Sequence, residues 1–201
     1  MFALVESGSI TKMLSGNRGI TIDGIQHPKA IYTLWTEAER NAIGIYTVDI
    51  DNSKKKNEEW YNNTNITYAF SGGKVTGSYG DATAKPHADT LYTSQDETDG
   101  LGTEGDVKVE GLKTKLIRTV KAQAEGELNK TDWYVIRKTE EDTAIPSAIT
   151  THRKAVRSKQ AAMETSITNA SDTPALETLY TYTEQDDGSI TRPLGELPIL
   201  E

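Results

Sequence analysis

VKVEGLKTKLIRTVKAQAEGELN, residues 107–129, is where the character of the chain changes. Val109, Leu112, Leu116, Val120, Ala124 and Leu128 recur there at steps of three and four, so they share one face of an α-helix whose basic residues lie largely elsewhere. Before this stretch short apolar runs alternate with polar residues, and after it the helical period persists. The predicted class is therefore α+β: an N-terminal antiparallel β-rich module with one short helix, then a C-terminal helical module of two long helices and a short corner helix. The expected boundaries are 1–80 for the β-rich module, 81–106 for an acidic connector, and 107–201 for the helical module with its acidic tail.

Toward the C-terminus, Asn129 to Asp132 interrupts the period, and Asp132 is the expected cap of a short helix reaching about Thr139. Pro146 closes the following loop. Ile149, Val156, Met163, Ile167 and Ala170 then define a helix over Ser147 to Asn169, with a stripe narrow enough to suit one neighbouring helix or a second copy. Thr173-Pro174 starts another short helix, and Asp187-Gly188 marks a turn in the tail.

Toward the N-terminus, Phe2 to Glu6, Ser9 to Leu14 and Gly19 to Ile22 read as a meander broken at Ser7-Gly8 and Gly16-Asn17. Thr36-Glu37-Ala38-Glu39 has the form of a capping box, and Gly44 supplies a left-handed exit, so a two-turn helix is predicted from Glu37 to Ile43. Ile45 to Ile50 alternates again. Ile66, Tyr68 and Phe70 face Val75 and Tyr79 across Ser71-Gly72-Gly73 as a hairpin. Residues 53–59, SKKKNEE, read as a polar turn.

An apolar fraction of 35% in 201 residues suffices for a core, and the absence of cysteine removes disulfides and thiolate metal sites. No run approaches the roughly 18 apolar residues of a membrane span, and residues 1–14 lack a signal-peptide pattern. The net charge of −8 is uneven. Residues 1–80 carry eight acids and eight bases, whereas 81–106 carry seven acids and one lysine. Residues 108–159 hold twelve bases against seven acids, and 160–201 eight acids against one arginine. Such alternation suits electrostatic complementarity within the chain or between copies.

The motifs nominate no chemistry. His27, His87 and His152 fall in separate segments without metal-ligand spacing and read as loop or helix-surface residues. Gly100 to Gly105 matches GxGxxG, but the acidic QDETD before it would repel a phosphate and is no apolar strand. Asp96, Glu97, Asp99 and Asp106 could serve a hard cation, yet Gln95 stands where an EF-hand needs its first ligand. No nucleophile elbow or triad motif occurs, so a non-enzymatic protein with no cofactor is expected. Bases in the +5 segment alternate with acids and few aromatics, which disfavours nucleic acid.

Between Thr131 and Arg157, Asp132-Trp133, Arg137, Glu140, Pro146, Arg153 and Arg157 form a spaced pattern. It resembles the C-terminal pattern of small tailed-bacteriophage proteins, the tail-fibre-assembly-like proteins and their relatives. The stretch LWTEAERNAIGIYTVD, Leu34 to Asp49, similarly resembles a small N-terminal module of tailed-phage proteins. The resemblance implies a non-enzymatic virion structural protein of the tail or tail fibres, made in the host cytoplasm and acting by self-association and docking. Its partners would be other phage tail or fibre proteins and further copies of itself, not nucleic acid, membrane or a small-molecule substrate. The alternative it implies is a tail-fibre assembly chaperone not retained in the particle. Trp133, Arg137, Arg153, Arg157 and Trp35 are the candidate interface or packing anchors. For Trp133 two readings stand: an exposed hot spot beside an arginine able to take a carboxylate, or an anchor packed under the long helices with Arg137 paired to Glu140 or Glu141.

Overall fold

The computed structural model describes residues 1–200, which divide into two compact units, Met1–Thr83 and Ala84–Glu201, the second described to residue 200. The class is α+β, a β-rich region followed by a helical one.

The first unit contains β1 (Phe2–Glu6), β2 (Ser9–Leu14), β3 (Ile20–Ile22), β4 (Ile25–His27), α1 (Ile31–Leu34), α2 (Glu37–Ala42), β5 (Ile45–Asp51), β6 (Tyr61–Asn62), β7 (Thr67–Ser71) and β8 (Lys74–Ser78). Five strands form one sheet in the order β2-β1-β5-β8-β7. Ser7 and Gly8, both at positive φ, make the two-residue turn between β1 and β2. Gly72 and Gly73 do the same between β7 and β8, setting Phe70 opposite Val75 as the alternation implies.

Three features differ from the sequence expectation. The sheet is antiparallel except for β5 and β8, which run parallel. After β5 the chain crosses to the sheet edge as β7, so the tight hairpin necessarily returns β8 alongside β5 in the same direction. The third strand of the expected meander leaves the sheet, because β3 pairs with β4 instead. A second short helix, α1, precedes the expected one; its single turn is too brief for a periodic signal, yet it buries Ile31 and Tyr32.

β1 is covered on both faces, which is why ALV reads as an unbroken apolar run. Leu4 packs with Leu14, Ile20, Ile22, Ile31, Tyr32 and Ile45 on one side. Ala3 and Val5 pack with Val48 and Val75 on the other, against which Met13 of β2 and Phe70 of β7 also pack as the sheet edges approach. Helix α2 begins with the capping box: the Glu39 amide donates to the Thr36 hydroxyl (3.3 Å) and the Thr36 amide to the Glu39 carboxylate (2.8 Å). It ends at Gly44, at φ 79°, where a side chain would stand 2.7 Å from the Val5 carbonyl oxygen. The SKKKNEE segment is a turn held by both hydrogen bonds of the Asn63 amide group to the Lys56 backbone and by the Lys54–Asp81 pair at 2.9 Å.

Beyond β9 (Thr83–Ala84), the second unit contains β10 (Thr90–Leu91), α3 (Ser94–Thr98), β11 (Val107–Val109), α4 (Leu112–Asn129), α5 (Asp132–Glu141), α6 (Ser147–Asn169), α7 (Thr173–Tyr180), β12 (Thr183–Glu184) and β13 (Ile190–Thr191). Helices α4 and α6 lie antiparallel: Lys113 Nζ donates to the Thr168 carbonyl (2.8 Å), Lys121 pairs with Glu164 (3.6 Å), and Arg153 reaches Leu128 (2.7 Å). Val120 and Ala124 meet the α6 seam of Ile149, Val156, Met163 and Ile167, and Leu176 and Leu194 are buried as well. Helix α6 has the predicted bounds, and Asp172 caps α7 through the Ala175 amide (2.8 Å).

The stretch expected as a connector is folded and, from Ala84 onward, lies within the second unit. Its backbone caps α4, since the Leu112 and Lys113 amides donate to the Pro86 and His87 carbonyls (both 3.0 Å). Asp89 accepts from the Gly111 amide (2.6 Å) and the Thr114 hydroxyl (2.7 Å). Gly111 must be a glycine, because a Cβ there would overlap the Ala88 carbonyl. Val107 to Val109, which began the apolar periodicity, form β11 against β10, so α4 starts only at Leu112.

Candidate functional site

Helix α5, at the corner between α4 and α6, carries three exposed large apolar side chains, Trp133, Val135 and Ile136. Thr131, almost fully buried, is the N-cap of α5, and its hydroxyl donates to the Leu128 carbonyl (3.0 Å). Arg153, buried on α6, reaches back across this turn. Its Nη1 lies 2.7 Å from the Leu128 carbonyl, 2.7 Å from the Thr131 hydroxyl and 2.8 Å from Asp132 Oδ1. Asp132 is therefore the carboxylate of a buried arginine and the first residue of α5, not its cap. A guanidinium so placed satisfies a carbonyl at the end of α4 and pairs with the carboxylate that opens α5.

Helix α5 buries no residue. Trp133 is 50% exposed, Val135 40% and Ile136 55%, which corrects the expectation that Trp133 packs beneath the long helices. The indole instead stacks on Tyr134, ring centroids 3.8 Å apart. The Arg137 guanidinium lies 4.8 Å from the Trp133 ring and 5.6 Å from the Tyr134 ring. Among the described residues it forms no ion pair with Glu140 or Glu141, and its Nε is buried without a hydrogen-bond partner. Stacking has replaced the expected ion pair because Trp133, one turn earlier, offers its π-face where the guanidinium emerges. Asp142, at φ 56°, ends the helix in the left-handed region and pairs with Lys138.

The remaining anchors separate. Arg157 is exposed on α6 and borders an open groove with Leu128, Gln160, Ala161 and Glu164. Trp35 belongs to the first unit, half-buried against the Leu4 cluster with its ring edge-on to His27 at 5.7 Å. Its carbonyl accepts from Arg40. The structure thus gathers Trp133, Arg137 and Arg153 at one corner, with Arg153 inside and the other two outside.

Thr131 and Tyr134 were not singled out by sequence; Thr131 holds the N-cap position of α5 without a side-chain cap, its hydroxyl bonding back to α4, so the threonine capping signal does not reveal its role. His152 is buried on α6 with Nε2 unpartnered, which corrects its reading as a surface residue. His87 contributes its backbone to the α4 cap. In the GxGxxG stretch, Gly100 and Gly105 have positive φ and the Tyr92 ring lies against Gly102, so the loop joins α3 to β11 as a packed turn. Among the described residues no group of three or more His, Asp or Glu is placed to hold a metal ion, and no helix is long and apolar enough to cross a membrane.

No protein-family model matches the chain, and no curated protein or solved structure is similar to it.

Proposed function

We propose that this chain is a non-enzymatic structural component of a tailed-bacteriophage virion, associated with the tail or its fibres, which acts by self-association and docking. The observation that carries the reading is α5: a helix with no buried residue that presents Trp133 and Ile136 to solvent beside a half-buried, aromatic-stacked Arg137. Tryptophan and arginine dominate the energetics of protein interfaces, where a rigid indole supplies area and a guanidinium supplies orientation. The spaced pattern from Asp132 to Arg157 that resembles small phage tail proteins includes this helix, which supports the same reading. Mass spectrometry of purified particles tests it: peptides at fixed stoichiometry are expected. Peptides found in the lysate but absent from particles would replace the proposal with a transient assembly chaperone.

A further inference from the structure

We propose that the pocket between the end of β2, the turn that follows it and α1 binds a phosphomonoester, carried on a small hydroxylated molecule of the sugar phosphate class. The site goes beyond the virion reading and does not depend on it. The pocket has a volume of about 490 Å³ and lies within the first unit. That size suits a small-molecule site, for which roughly 300–1,000 Å³ is usual. Its floor belongs to the Leu4 cluster, where Leu14, Ile20 and Tyr32 are buried. Lys12, two residues before Leu14 on β2, shares the face of Leu14, and Arg18 lines the pocket from the turn.

The polar groups of the pocket favour an anion. No carboxylate lines it, and its two charged residues, Lys12 and Arg18, have neither an ion pair nor a hydrogen bond among the described residues. A cleft lined by one sign of charge concentrates the opposite ion, and a guanidinium matches the paired oxygens of a phosphate. Backbone donors join them. Gly16 stands at φ 73° in the turn, and successive amides of such turns form anion-binding concavities. The Gly16, Asn17 and Arg18 amides donate to no acceptor among the described residues. The turn itself is fixed by packing: the Ser15 hydroxyl donates to Asn17 Oδ1 (2.6 Å), and a Cβ on Gly16 would stand 3.0 Å from the Phe2 ring. Tyr32 points to the same ligand. It is only 7% exposed, yet its hydroxyl has no hydrogen-bond partner among the described residues. Burial raises the phenol above its ordinary 10.0 and keeps it protonated, so an oxyanion in the pocket supplies the acceptor this donor lacks. The Tyr32 ring already packs on Phe2, with centroids 4.9 Å apart, which leaves a nucleobase little to stack on. The Ser15 and Thr21 hydroxyls that also line the pocket suit a hydroxylated carrier instead.

Amide NMR on the isotope-labelled full chain, titrated with glucose-6-phosphate and separately with glucose, tests the site. The sugar phosphate is expected to move the Gly16, Asn17 and Arg18 amides saturably, with a dissociation constant on the order of 1 mM or tighter, and glucose to leave them in place. Arg18→Gln and Lys12→Gln should each weaken binding about tenfold or more, because each removes a charged donor to the phosphate. Lys74→Gln, on the hairpin between β7 and β8, removes the same charge outside the pocket and should change binding by less than about twofold. The spectra of the variants verify that each remains folded. Turn amides that stay in place with glucose-6-phosphate, glucose that binds as tightly as its phosphate, or a loss in Lys74→Gln equal to that in Arg18→Gln would each overturn the proposal.

Discussion

Arg153 and Arg157 stand one helical turn apart and look equivalent in sequence, but they differ in every physical respect. Arg153 is buried, and its partners Leu128 and Thr131 lie 25 and 22 positions earlier in the chain. Removing it leaves a carbonyl, a hydroxyl and a carboxylate short of a charged donor at a packed corner. Arg153→Ala is expected to destabilise the helical unit by about 2–4 kcal/mol. Arg157→Ala, at an exposed position, should stay within about 0.5 kcal/mol. Urea denaturation of both variants checks the contrast, and equal losses would refute the assignment of Arg153 as the tie of the corner. Trp133 illustrates the opposite case: a residue whose size suggests a core is half exposed, because its neighbour Tyr134 and the guanidinium of Arg137 occupy its faces.

At the scale of elements, local signals set where helices begin and long-range contacts set what they join. Helix α3 opens with a capping box between Thr93 and Asp96, a pattern contained in four residues. The same carboxylate then takes Lys108 Nζ at 2.6 Å, tying α3 to β11. The Lys108 ammonium, followed by the Thr93 amide and hydroxyl, holds the Asp96 carboxyl down to about 2 from its ordinary 3.8. A carboxyl lowered on folding binds more protons in the unfolded chain. Its stabilisation is therefore complete above the ordinary value and disappears as pH falls toward about 2. Asp96→Asn should lower the melting temperature at pH 7 and have progressively less effect from pH 4 to pH 2. A wild-type–variant difference that stays constant over that range would show that the ion pair contributes nothing. Among the described residues, the Trp133 and Ile136 side chains of helix α5 have no equivalent tie and remain at least half exposed.

Across the whole molecule, the acidic stretch is part of a folding unit. Pro86, His87 and Asp89 satisfy the first turn of α4, and the Thr173 hydroxyl donates to the Lys85 carbonyl (2.6 Å) at the start of α7. A fragment of residues 84–201 should therefore fold cooperatively, with a higher melting temperature than one of residues 107–201, in which α4 loses its caps. Circular-dichroism melts of the two fragments make the comparison; indistinguishable curves would return 84–106 to the status of a linker. Much of the architecture was legible beforehand. The α+β class, the bounds of α6, the capping box of α2 and the Gly72-Gly73 hairpin all rest on periodicity and turn chemistry within a few residues of one another. Helix α1 and the β10–β11 pairing escaped because elements of two to four residues are too short to show a period. The parallel pairing of β5 with β8 depends on which edge the chain takes after residue 51, and no local pattern records that choice. The site divides in the same way: the sequence named Trp133, Arg137, Arg153, Arg157 and Trp35 as candidate anchors by type and spacing, and the folded chain brings only the first three to one corner. Tertiary structure decided that Arg153 turns inward and Trp133 outward. The energy of a buried guanidinium depends on acceptors that only the folded corner assembles, and that of an indole on which neighbours have already claimed its faces.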